Sequence, residues 1–142
     1  MNAYLAIFLG GLIPMVLGYV WYHPKVFGNA WMKSLGLTEE DLRQGNMAVT
    51  MGVATLCAIF LAWRINDYSS HTQPGMSQFL HGFFHGAYNM GLPAAVVLTS
   101  NGLFQRNNAT NLIINALYWI CALGLMGAFL YSVATPEAAP VG

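Results

Sequence analysis

The 142-residue sequence predicts an all-α membrane protein: four transmembrane helices, with a short interfacial helix in the first loop. Three observations carry this. Four apolar runs, at roughly 3–22, 47–63, 79–98 and 112–133, take up most of the chain. All five basic and all five acidic residues lie outside them. Charged residues make up only 7% of the chain, against about 25% in a soluble domain, while hydrophobic residues reach 56% and mean hydropathy is +0.51. A bilayer core about 30 Å thick needs on the order of 20 apolar residues at about 1.5 Å each. A charged side chain at the centre of such a helix costs about 2.5–3.5 kcal/mol, and the placement of charges here avoids that cost. The length allows one domain, 1–142, and the zero net charge leaves no footprint for nucleic acid.

The first run carries Gly10, Gly11, Pro14 and Gly18. Pro14 removes a backbone donor and is expected to kink the helix, which a membrane bundle tolerates. Trp21 and Tyr22 end it as an aromatic belt and, with Trp31, form the expected interfacial anchor. The run lacks the positive start and the small-residue cleavage site of a signal peptide, so it is expected to be retained. In the loop 23–46, Gly36 is expected to end a short stretch holding Trp31, Met32 and Leu35, suited to the headgroup region. Thr38 before Glu39, Glu40 and Asp41 reads as a helix cap followed by acids in the first turn. Gly45-Asn46 reads as a stop before the second run.

The second run places Ala48 and Gly52 in small-xxx-small spacing and ends at Trp63 and Arg64. Asp67, Ser69, Ser70, His71 and Pro74-Gly75 then form a turn-rich loop. The third run is weakened by two histidines, an Asn, three glycines and Pro93, so it is either a full span or a broken, re-entrant helix. The fourth is conventional, with Asn111 and Asn115 near its start as capping and packing residues. An Ala- and Pro-rich tail after Thr135 is expected to be disordered. Cys57 and Cys121 fall inside apolar runs, where a free thiol behaves as a small hydrophobe.

Basic residues set the expected orientation. Loops 23–46 and 100–111 share one side of a four-span chain and hold Lys25, Lys33, Arg43 and Arg106, against Arg64 alone on the other. The positive-inside rule then places both loops in the cytoplasm and both termini outside.

The stretch from Gly18 to Lys33 resembles the opening signature of a bacterial membrane family, domain of unknown function 1761. The matching elements are Gly18, Trp21-Tyr22, Pro24, Phe27-Gly28 and Trp31. The resemblance implies a small four-helix membrane protein and supplies no activity.

The residues that could carry chemistry lie in the third run. His81, His85 and Asn89 are spaced i, i+4, i+8 and share one helix face. Beside them Gly82 and Gly86 form a GxxxG pair that lets another backbone approach. One reading is an ion or proton site, since intramembrane ionisable residues are functional candidates by default and imidazole titrates near pH 6.5. Another is a metal site, with His81 and His85 as ligands and Asp67 or His71 as the third. The structural reading is hydrogen bonding across the bundle to Asn115, Thr50 or backbone carbonyls. No nucleophile–base pair or phosphate loop is visible, so neither an enzyme nor a cofactor is expected. Four short helices enclose little volume, so a homo-oligomer or a larger membrane complex is expected. Two function classes follow: a structural or accessory subunit, or a small channel or transporter-like oligomer with a His/Asn polar path.

Overall fold

The computed structural model describes residues 1–67, 69 and 73–133. Seven α-helices are seen among them: α1 Ala3–Trp21, α2 Asn29–Leu35, α3 Glu39–Gln44, α4 Met47–Asn66, α5 Gln78–His85, α6 Leu92–Phe104 and α7 Ala109–Val133. Two π-helical segments join them, Pro24–Gly28 between α1 and α2, and Gly86–Gly91 between α5 and α6. His71, Ser70 and the tail after Thr135 lie outside the described residues.

Local chemistry sets the helix ends. The Asn2 side chain caps α1 through the Tyr4 N–H, Asn46 caps α4 through Val49, and Ser77 caps α5 through Leu80. Thr38 and Asp41 cap α3 reciprocally, side chain to backbone in both directions. Gly36 ends α2 at φ 67°, a left-handed geometry that a residue without Cβ adopts freely. The first loop thus holds two short helices where the sequence suggested one beside a helix start.

Helix α7 is the axis of the bundle, and its buried residues run from Asn111 to Tyr131. On one side it meets α1 in antiparallel fashion, with Gly10 near Leu130 and Gly18 near Tyr118. On another it meets the 78–104 stretch, also antiparallel, with Gly82 near Gly127, Gly91 near Ile120 and Gly102 near Leu112. Helix α4 packs antiparallel on α1, where a Cβ on Gly11 would fall 2.8 Å from Ile59 Cα. The apolar core joins Ala6, Ala62, Ile65, Leu123, Met126 and Leu130.

Three helices, α1, α4 and α7, are long and apolar enough to cross a membrane. Their outward faces are apolar and exposed, with Tyr4, Val16, Leu56 and Phe60 among them. The 78–104 stretch stays helical throughout: Gly86, Gly91 and Leu92 at its joints all hold right-handed helical angles. It is widened in the middle rather than broken. Pro93 has no N–H to give to Asn89 four residues back, and its ring would collide with that carbonyl in a regular α-helix. A wider turn just before the proline relieves both conflicts.

Candidate functional site

Glycines bring α5 against α7. A Cβ on Gly82 would strike the Gly127 carbonyl, and one on Gly86 the Leu123 carbonyl. Gly124 leaves room for the Phe83 ring. This close crossing carries His81 into the bundle, where it is 5% exposed. Its ring centroid lies 5.2 Å from that of Tyr131 on α7 and 4.6 Å from that of His85, both edge to face. His81 Nδ1 and the Tyr131 hydroxyl are buried and have no hydrogen-bond partner among the described residues; Gln78 Oε1, one turn earlier, is in the same condition.

The His85 ring also packs on Tyr131, at 5.5 Å between centroids, and with Asn89 it lines a cavity of ≈ 340 Å³. Arg64 and Ile65 of α4, Met90 and Tyr131 complete its wall. Helices α4 and α5 both lie on α7, and this cavity is the gap between them. The Asn89 amide nitrogen sits 3.1 Å from His85 Nδ1. The three residues of the polar stripe are therefore together but not equivalent: His81 is buried, while His85 and Asn89 line the cavity.

The candidate third metal ligands divide. Asp67 forms an ion pair with Arg64, and His71 lies outside the described residues. Among the described residues no three His, Cys, Asp or Glu side chains gather as a metal would require. The suggested interhelical partners of the histidines also lie elsewhere. Asn115 sits toward the opposite end of α7, and the Thr50 hydroxyl donates to the Asn46 carbonyl of its own helix. The aromatic contact with Tyr131 replaces them, because the glycine crossing sets α5 directly on α7.

At the opposite end, the aromatic signature is a seam within the chain. The Tyr22 hydroxyl donates to Asn115 Oδ1 at 2.9 Å, and Asn115 Nδ2 donates to Asn111 Oδ1 at 3.1 Å. Trp21 Nε1 donates to the Ile114 carbonyl, and the Tyr118 hydroxyl donates to the Pro14 carbonyl at 2.7 Å. The Tyr22 ring also packs on Trp31 and Tyr118, at 5.4 and 5.2 Å. The π-turn makes this possible. His23 caps it through Lys25 N–H, Pro24 starts it, and the Gly28 N–H reaches back to the His23 carbonyl. A Cβ on Gly28 would run into the Tyr22 carbonyl.

In the sequence Trp21, Tyr22 and Trp31 read as an interfacial anchor, and no local pattern pairs them with α7. Asn111 and Asn115, at i, i+4 spacing, were the available signal, since an amide pair on an apolar helix seeks polar partners. Tyr118 and Tyr131 carried no local signal at all.

The family model described as a protein of unknown function, DUF1761, matches residues 5–131. The chain belongs to the DUF1761 family. No curated protein and no solved structure matches it. In this DUF1761 protein the matched span takes in both the histidine cavity and the aromatic seam.

Proposed function

We propose that this DUF1761 protein is a four-span protein of the bacterial inner membrane that handles protons or small ions at its histidine cavity. One observation carries the reading. His81 Nδ1 and the Tyr131 hydroxyl are buried in neighbouring rings without partners among the described residues, beside a cavity reached by His85 and Asn89. A buried polar group left unsatisfied costs about 1–3 kcal/mol. Residues kept only for packing have no reason to bear that cost, whereas groups that exchange protons need a lone pair open to them. His85 and Tyr131 line the cavity and would exchange with it; His81, its ring centroid 4.6 Å from that of His85 and 5.2 Å from that of Tyr131, would extend the relay into the bundle.

The test is proton flux into liposomes carrying the purified protein and an internal pH indicator. Wild type should equilibrate an imposed pH gradient faster than empty liposomes, and the His81→Asn/His85→Asn double variant should fall back to the empty rate. Equal flux from both proteins would leave the histidines as packing groups. Metal analysis of the same preparations checks the divalent-ion alternative, in which a metal would co-purify with wild type and be lost in the double variant.

A second reading, an accessory subunit that self-associates or joins a larger complex, draws on α4. Among the described residues, no atom outside its own stretch of helix lies within 4 Å of where a Gly52 Cβ would stand, and Ala48 one turn earlier is exposed. That small-residue face suits a neighbouring helix. Either reading keeps loops 23–46 and 100–111 cytoplasmic by their basic residues, with both termini outside and α2 lying at the interface.

A further inference from the structure

A second cavity lies at the other end of the bundle, between the last turns of α6 and the first turns of α7. Its volume is ≈ 340 Å³, near the lower end of the roughly 300–1,000 Å³ typical of small-molecule sites. Its polar wall is unusual. Asn101, Gln105, Asn107, Asn111 and Asn115 supply five carboxamides, and Trp119 supplies an indole. Among the described residues no ionisable side chain lines it. Gly102 stands in the wall where a side chain would narrow it, since a Cβ there would come 3.4 Å from Asn107 Nδ2 and strike Leu112.

Asn111 is the informative residue. It is only 2% exposed, yet its Nδ2 has no partner among the described residues. Its Oδ1 accepts from Asn115, whose own Oδ1 accepts from the Tyr22 hydroxyl. A phenol both donates and accepts, and an amide can turn over, so this row of bonds can run in either direction. In one direction Asn111 offers a donor; in the other it offers an acceptor. A ligand hydroxyl, itself both donor and acceptor, satisfies either. An anion would meet no cation in this wall, and a cation would meet no carboxylate.

We infer that this amide cavity binds an uncharged polyhydroxylated ring of the sugar class, its hydroxyls held by the carboxamides and its C–H face against Trp119. The ring can come free in solution or as the headgroup of a glycolipid, because the cavity sits at an end of the apolar helices. This inference does not depend on the histidine cavity.

The experiment uses the full chain in phosphatidylcholine nanodiscs, with no sugar detergent present. One arm adds methyl β-glucoside and reads saturation-transfer NMR. The other replaces a tenth of the lipid with glucosyl-diacylglycerol and reads lipid retained by the protein in native mass spectrometry. The expected result is glucoside saturation transfer, selective retention of the glycolipid, or both. The first assigns a soluble ligand and the second a lipid headgroup. Asn101→Ala/Gln105→Ala changes only exposed rim residues and should weaken whichever signal is seen at least tenfold with unchanged thermal unfolding. Asn111→Ala should do the same from the cavity floor; if it fails to fold, the rim variant decides alone. Absence of both signals in wild type, or signals that survive the rim variant, would overturn the proposal.

Discussion

Tyr22 closes a row of hydrogen bonds that ties the end of α1 to α7, through Asn115 to Asn111. Tyr22→Phe removes that hydroxyl and keeps the ring contacts with Trp31 and Tyr118, so the loss isolates one bond. Hydrogen bonds between membrane helices contribute about 0.6 kcal/mol on average and at most about 1.7. Thermal unfolding in detergent should show destabilisation of about 1 kcal/mol; an unchanged or raised midpoint would mean that the bond adds nothing over lipid or water. Gly28→Ala should be worse, because its methyl meets the Tyr22 carbonyl rather than a side chain that can move. The residue-level signature was legible in the sequence as a motif, since Trp, Tyr, Pro and Gly have restricted uses. Its partner was not. Asn115 lies 93 positions away from Tyr22, and nothing in a single sequence joins residues across that distance.

Among the elements, the α5–α7 crossing depends on glycine. Gly86→Leu drives a side chain into the Leu123 carbonyl, with the Leu123 carbonyl carbon 2.8 Å from the new Cβ. Overpacking typically costs about 1–3 kcal/mol, and a clash with backbone rather than a movable side chain puts this variant at the upper end. Gly52→Leu, in open space on α4, should change stability by no more than about 0.5 kcal/mol. Unfolding of both variants in the same detergent checks the contrast, and equal midpoints would contradict the crossing. The short α3 gives a pH-dependent test. The Thr38 hydroxyl and N–H both donate to Asp41 and hold its carboxyl below the usual carboxylate range. A depressed pKa means that the cap stabilises α3 fully above about pH 3.9, the unfolded value, and is lost as pH falls through the folded value. Amide exchange over 38–44, corrected for the intrinsic pH dependence, should accelerate across that window, and Asp41→Asn should remove the dependence.

Most of the elements were legible in the sequence for plain reasons. Apolar runs, the Thr38 cap and the Gly36 stop are local signals, and α1, α4 and α7 fall where the runs do. Helix α4 continues to Asn66, three residues beyond the apolar run, because Arg64 can pair with Asp67 at the helix end. The 78–104 stretch was ambiguous because Gly and Pro weaken its hydropathy, and the same residues build the close crossing and the π-turn that keep it helical. The histidine site was half legible. Spacing placed His81, His85 and Asn89 on one face, but burial divides them, and Tyr131 comes from a helix that spacing cannot reach.

For the whole molecule, a four-span architecture requires the 78–104 stretch to cross the membrane beside α1, α4 and α7. Its antiparallel contacts along α7, from Gly82 at one end to Gly102 at the other, support a full crossing. A crossing places the two cavities toward opposite faces of the membrane. The direct measurement starts from a chain with Cys57 and Cys121 replaced by Ala. Single cysteines are introduced at Lys33, Gln73 and Arg106, and intact cells are labelled with a membrane-impermeant maleimide. Four crossings with basic loops inside predict labelling at Gln73 alone, with Lys33 and Arg106 reacting only after lysis. Labelling of Gln73 and Arg106 from the same side would mean that the stretch turns back without crossing, and would contradict the four-span account.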